Sequence, residues 1–430
     1  MPKIITSKLK IDNAKNFIDR FNDTNNTLYF FLGKPSAWPD ETTPLPLNDY
    51  SYDIGKVWDE MVSLKRVLPT SIANVVRRIN WGKNTIYSPY DDQDIDLFSK
   101  EFYVLNSQNS VYKCISNFGG SVSLVEPTGT SKDITTLSDG YRWKYLYSIG
   151  IGDSLKFLTS KWMPVFKNID VANAAIGGAI EHIKIINSGA NYPRTTTINI
   201  FGDGINASLV PKINLGVIYD FFYVNVGNDY RYAIARVDDT SNVGNYANIR
   251  PIVSPYKGHG FDPVEELNAN KIMINVKTDY NEGFGDFPGQ FSYRTFGILN
   301  NPKRLDGSFA SNTTLSALQG IYVRSCSNVF SQYEYIEGSV SSANAFIITS
   351  NINSGNGYAK FIQTFDKTNF NTFIPGEVVI GKTSGTTAIV SNLLYPEVLK
   401  NEGSIFYIEN RTPITRSKDQ TDNLHLVIEF

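Results

Sequence analysis

The chain has 430 residues, of which 41% are hydrophobic and 19% charged, with a formal charge of −2. That is too apolar for a disordered chain, and 40 basic against 42 acidic residues leave no cationic surplus of the kind a nucleic-acid-binding module needs to displace counterions. The length allows roughly two to three domains, and 26 Phe with 25 Tyr favour pleated, half-buried surfaces.

The first residues, Met1 to Lys8, lack the continuous apolar core of a signal peptide, and no stretch approaches the ~18 apolar residues of a membrane span. The expectation is a soluble protein. Two helices are predicted near the start. Behind Asp12, a plausible N-cap, Ala14, Phe17, Ile18 and Phe21 share one helical face. Behind Asp53, the residues Ile54, Val57, Trp58 and Met61 repeat the spacing. Short apolar bursts follow or intervene at Leu28–Leu32, Val75–Trp81, Phe102–Leu105, Tyr141–Ile149, Ile272–Val276 and Leu424–Phe430. Gly, Asn, Asp and Pro punctuate them, which predicts strands joined by turns, with Val75–Trp81 read as a half-buried strand. The fold class expected is mainly β: a layered β-sandwich with a few short helices in loops and two inserted small β modules.

The first module, about Gly177 to Ile213, reads strand, turn, strand, turn. The second, about Ser331 to Leu394, carries an internal echo. Ile336-Glu337-Gly338-Ser339-Val340-Ser341-Ser342 resembles Ile380-Gly381-Lys382-Thr383-Ser384-Gly385 in its strand and small polar turn. Two copies are too few for a solenoid and fit two hairpins of one small barrel or sandwich.

Several stretches imitate chemical motifs. Gly376 to Thr383 has the spacing of a phosphate-binding loop, but its Val378-Val379-Ile380 is strand-like and no helix follows. Gly202-Asp203-Gly204 resembles a dinucleotide fingerprint, yet Pro211 sits where the helix would run, so a hairpin turn is expected. Asp92, Asp94 and Asp96 open like a calcium loop, but Leu97 and Tyr103 replace the required Gly and Glu, which leaves a solvated acidic loop. The histidines His182, His259 and His425 show no zinc spacing. His259, in Gly258-His259-Gly260, is read as a hydrogen-bonded side chain in a tight turn. Cys114 and Cys326 are read as two buried thiols, suited to a reducing cytosol. Arg77, Arg78 and Lys83 are read as a solvated strand edge. No catalytic, cofactor-binding or metal-binding residue is assigned.

A resemblance joins the pieces. Phe31-Leu32-Gly33 with Trp38, Val57-Trp58-Asp59-Glu60-Met61, Val67-Leu68-Pro69, Arg77-Arg78-Ile79-Asn80-Trp81-Gly82 and Tyr87-Ser88-Pro89-Tyr90 follow one another in the order found in a known family. So do Asp139-Gly140-Tyr141-Arg142-Trp143-Lys144-Tyr145-Leu146, Glu409-Asn410-Arg411-Thr412-Pro413-Ile414 and Asp419-Gln420-Thr421. These resemble the β-sandwich, dimer-forming wedge subunit of T-even-type phage baseplates. The match covers the N-terminal part to about Ile149, Phe291 to Pro302, and the tail from about Gly403.

The resemblance implies body segments 1–170, 216–302 and 396–430, with inserted β modules at 171–215 and 303–395. It implies a homodimer that contacts other wedge and peripheral baseplate proteins, resides in the virion tail and is assembled in the host cytoplasm. It brings no enzymatic activity, cofactor, nucleic acid, membrane or small-molecule substrate. The alternative is a virion receptor- or carbohydrate-binding tail protein.

Overall fold

The computed structural model describes residues 4–23, 25–238, 246–278, 290–417 and 420–430. Asp419, one of the residues carrying the resemblance, lies outside them. The chain is mainly β, with several antiparallel sheets and few short helices. It forms two compact units, each discontinuous in sequence. One takes in Met1–Asn16, Ala73–Met273 and Val427–Phe430, and the other Phe17–Ile72 and Ile274–Leu426.

The first unit contains an antiparallel sheet of Tyr103–Leu105, Ser110–Ser116, Arg142–Ser148 and Thr135–Thr136, in that order. Ser110–Ser116 is buried along its whole length, so even its Lys113 lies inside. Aromatic rings fill the core beside it. Tyr141 stacks on Trp143 at 5.6 Å, and Tyr87 meets Trp143 edge-on, geometries that suit ring quadrupoles. The strand predicted over Val75–Trp81 runs instead from Ile72 to Arg77 and is buried at its first five residues. It is covered on both faces, so the expected alternation is absent. It pairs with Trp162–Pro164.

The same unit holds three nested strand pairs. Ile180–Asn187 pairs with Asn248–Val253, Thr197–Gly202 with Ala233–Asp238, and Ile205–Asn214 with Val217–Asn228. The boundary expected at residue 215 therefore falls in a two-residue hairpin turn. Leu215 (φ 50°) and Gly216 (φ 80°) both take the left-handed conformation such turns require. Ile180, Ile183, Leu209, Ile218, Phe221 and Tyr230 share the core of these pairs.

In the second unit, a five-stranded antiparallel sheet runs Thr314–Ser316, Met61–Arg66, Leu28–Gly33, Phe291–Asn300, Ser404–Arg416. Leu28–Gly33 is buried throughout because it is central. A closed six-stranded barrel lies further along the chain. Its strands are Gln319–Arg324, Tyr335–Gly338, Asn344–Asn353, Asn356–Ile362, Val378–Gly381 and Thr387–Leu394, closing in the order first, fourth, third, second, fifth, sixth. Ile321, Ile336, Ile347, Phe361 and Val379 are among its core residues. The two echoing segments are its two hairpins, and their leading strands pair with each other, Glu337 opposite Ile380.

Both predicted helices start earlier than expected. The first spans Ser7–Asn22, with the Thr6 hydroxyl accepting from the Leu9 N–H at 3.3 Å. Asp12 lies inside it and pairs with Lys8 one turn before. The second spans Ser51–Asp59, so Asp53 sits in its first turn and Met61 already belongs to a strand. Thr6 starts the first helix before its apolar periodicity begins, whereas the second begins after Tyr50 with no side-chain cap.

Two glycines test these assignments in opposite directions. A Cβ on Gly297 would lie 2.0 Å from the Tyr407 carbonyl of the paired strand. Gly297→Ala is expected to lower stability by about 1–3 kcal/mol in denaturant titration, as overpacking does. Gly55 is helical with nothing near its missing Cβ. Gly55→Ala is expected to raise stability by about 0.5–1 kcal/mol.

Candidate functional site

The phosphate-loop imitation is a barrel turn whose donors are occupied. Glu334 accepts from the N–H groups of Thr383 (3.0 Å) and Ser384 (2.8 Å) and from the Ser384 hydroxyl (2.8 Å). The Gly381, Lys382 and Gly385 N–H groups donate to Thr386, Tyr335 and Gly381 carbonyls. Lys382 pairs with Glu337. The backbone donors that would cradle a phosphate are thus turned onto a carboxylate and carbonyls of the barrel itself.

The arrangement is reciprocal. Glu377, from the second hairpin, accepts from Val340 N–H (2.9 Å), Ser341 N–H (2.9 Å) and the Ser341 hydroxyl (2.7 Å) in the first. Each glutamate also takes the N–H of the residue three before it, Ser331 or Ile374. Burial pushes the Glu377 carboxyl up, but these hydrogen bonds outweigh it and hold it below the usual range. A Cβ on Gly338 or Gly381 would lie 2.7 Å from the partner carboxylate, which is why each turn begins with glycine. Glu334 and Glu377, both buried, were missed in the sequence. The signal was present: each lies four residues before its glycine and seven before its turn serine.

Asp203 likewise organises a turn, accepting from Arg231 and Tyr232 N–H groups. Its flanking Gly202 and Gly204 make room for the buried Tyr230 ring. In the acidic run, Asp92 and Asp96 are exposed as expected of a solvated loop, but the neighbouring Asp91 is buried and makes a clamp within the first unit. Arg250 donates to Asp91 (2.5 Å) and Asp92 (3.0 Å), Lys184 to Asp91 (2.9 Å), and Lys100 to Asp94 (2.5 Å). Asp96 donates its own N–H to Asp94. Burial alone would raise the Asp91 carboxyl, yet Arg250 and Lys184 hold it down to about 2. Asp91 was not among the residues singled out from the sequence. Among the described residues, no group of three or more His, Cys, Asp or Glu could hold a metal ion.

The remaining candidates have separate settings. Arg77 and Lys83 are exposed, with Arg77 reaching Glu101 at 3.6 Å, whereas Arg78 is half-buried and donates to the Thr159 carbonyl and to Asn80. Cys114 is buried in the sheet core, which raises its thiol well above its ordinary value. Cys326 is only half-buried, contrary to expectation. His182 stands opposite Ile252, and burial brings it down to about 3. His425 lies exposed on the final strand, Asp422–Glu429.

His259 belongs to a cluster of buried charged groups in the first unit. Its Nδ1 lies 2.8 Å from Lys113 Nζ, and Lys113 Nζ lies 2.9 Å from Glu266 Oε2. Glu266 Oε1 accepts from the Gly260 N–H at 2.6 Å. The Tyr90 ring meets His259 edge-on and sits 4.0 Å from the Lys113 ammonium. Lys113 has no exposed surface, and His259 has 3%. Burial, reinforced by Lys113, lowers His259 to about 3, so the ring is neutral. With Lys113 donating to Nδ1, the ring proton belongs on Nε2, which faces Glu181 Oε2 at 3.9 Å. Burial lowers Lys113 and would raise Glu266, but Lys113 and His259 hold Glu266 at about 2. A cavity of about 260 Å³, lined by Tyr90, Phe98, Tyr256, Phe261 and Glu266 among others, opens beside this cluster.

Part of this chain is similar to the baseplate wedge protein gp8 of Enterobacteria phage T4. Identity is 22% over 201 residues, which cover 38% of this chain. The chain spans 60% of the length of that relative. No family model matches the chain. Among the described residues, no helix is long and apolar enough to cross a membrane.

Two predictions follow the carboxylates. Glu377→Ala leaves three backbone donors and a hydroxyl without their acceptor and should destabilise the barrel by about 2–3 kcal/mol, read by denaturant titration. Asp91 has a folded value below its unfolded one, so its contribution is complete above about pH 4 and fades as the pH falls toward 2. Lys184 is half exposed and screened, so the loss is about 1–2 kcal/mol. Asp91→Asn should remove that part of the acid sensitivity in thermal melts taken between these pH values.

Proposed function

We propose that this chain is a structural component of a phage tail baseplate wedge and works by assembly rather than turnover. The observation that carries the reading is the similarity to the T4 baseplate wedge protein. The use made of the motif residues supports it. The loop with phosphate-binding spacing closes a barrel, and the acidic run clamps strands. In the finer reading, the protein is a homodimer in the virion, assembled in the host cytoplasm. It bridges neighbouring baseplate proteins and supports peripheral, fibre-bearing parts. The body is interrupted by two β modules, and apolar surface residues of the nested strand pairs, such as Phe201, Phe222 and Ile234, supply lateral contacts. Stacked sheets suit this work because they hold shape while presenting broad faces.

The test has several readouts. The protein should be found by mass spectrometry in purified, washed tails, and loss of its gene should halt tail assembly. Sedimentation of the purified protein at micromolar concentration should give a dimer, and a strict monomer removes that part of the reading. Lys382→Ala should leave assembly unchanged, with ATP affinity absent from both forms. Glycan or cell binding by the isolated protein would favour the receptor- or carbohydrate-binding tail protein instead.

A further inference from the structure

Lys113, His259 and Glu266 are not needed for a scaffold that works through its faces, and a buried ion pair is a poor way to stabilise one. Desolvating both charges costs several kcal/mol per ion, and well-packed apolar residues commonly do better. The geometry of this pair suits another outcome. Nζ lies 2.9 Å from one carboxylate oxygen, while the other oxygen is held at 2.6 Å by the Gly260 N–H. A neutral imidazole nitrogen stands 2.8 Å from the same Nζ. Water has little access, since Lys113 is 0%, His259 3% and Glu266 8% exposed.

We propose that Lys113 and Glu266 condense to an amide cross-link inside this protein, with His259 carrying the proton. The resting ion pair first passes one proton along its hydrogen bond from Nζ to Oε2, giving an amine and a carboxylic acid. The amine lone pair attacks Cδ, forming the C–N bond. Negative charge collects on Oε1, where the Gly260 N–H stabilises it as an oxyanion-hole donor would. His259 Nδ1 takes the second Nζ proton and returns it to Oε2. The C–Oε2 bond then breaks, Oε2 leaves as water and the carbonyl reforms. One ammonium and one carboxylate become one amide and one water, with no oxidant or reductant.

Most of the surroundings favour this sequence, and the step they oppose is protonation of Glu266, which Lys113 and His259 hold at about 2. Burial shifts Lys113 toward its neutral amine, and Tyr90 fixes both the amine and the imidazole. Glu181 faces Nε2 and would steady the imidazolium while it exists. Loss of two buried charges and release of a water into the adjoining cavity drive the step. The product ties the strand Ser110–Ser116 to the short helix Pro263–Glu266 across 153 residues of chain. A link over so long a loop restrains the unfolded chain strongly. The inference does not rest on the wedge reading and can hold or fail separately from it.

Intact mass spectrometry of the denatured full chain decides it. The wild type is expected to be one water lighter than its sequence. Trypsin should fail to cut after Lys113, and a branched peptide should contain Lys113 and Glu266. Glu266→Gln should lose ammonia instead and arrive at the same final mass as the cross-linked wild type. Lys113→Arg should keep its full sequence mass, and His259→Ala should cross-link more slowly. If Lys113→Arg does not fold, the wild-type mass still answers the question. A wild type of full sequence mass, cut normally after Lys113 in fresh and aged samples, overturns the proposal.

Discussion

A backbone N–H turned inward at a loop must find an acceptor, and the turns at Glu334, Glu377, Asp139 and Asp262 are built around meeting that demand. Carboxylates do much of this work. Glu334 and Glu377 each gather three N–H groups and a hydroxyl. Asp139 takes those of Leu124, Val125 and Tyr141, and Asp262 caps the short helix behind it. A carboxylate accepts several such bonds at once and gains charge assistance in each. One buried acid can therefore fix a whole turn where a neutral side chain would leave donors orphaned.

This constraint explains the shape of the motif imitations. A phosphate-binding loop and an acid-capped turn solve the same problem, clustered N–H donors facing an anion, and both call for glycine where the anion approaches. In Gly376–Thr383 the anion is a glutamate of the neighbouring hairpin, and the reciprocal pairing of two hairpins turns it into a closure device for the barrel. The Asp91 clamp is the same economy with cations, since one acid holds side chains from two strands, Lys184 and Arg250. The Lys113 cluster differs because its charges sit in the sheet core rather than at a turn, and its geometry invites covalent chemistry.

Under the proposed reading, function lies in rigidity and surface. Closed turns, a sealed barrel and nested strand pairs make bodies that keep their form. The apolar residues left outside, including Phe201 opposite Ile234 and Val210 opposite Phe222, lie on strands whose buried residues already fill a core. They are free to meet another surface without loss of the fold.

Local patterning was enough to determine the β class, the approximate positions of Leu28–Gly33, Arg142–Ser148 and the barrel hairpins, and the rejection of Gly376–Thr383 as a nucleotide loop. Each follows from side-chain period and turn chemistry, which act over a few residues. Only the tertiary structure decided that Ile180–Asn187 pairs with Asn248–Val253, that Asp91 meets Arg250, and that Lys113 meets Glu266. Those partners are separated by long stretches of chain, and no local rule encodes which distant segment will satisfy a hydrogen bond or a charge. Burial decided the rest. The strand Ile72–Arg77 is covered on both faces, and only packing can reveal that.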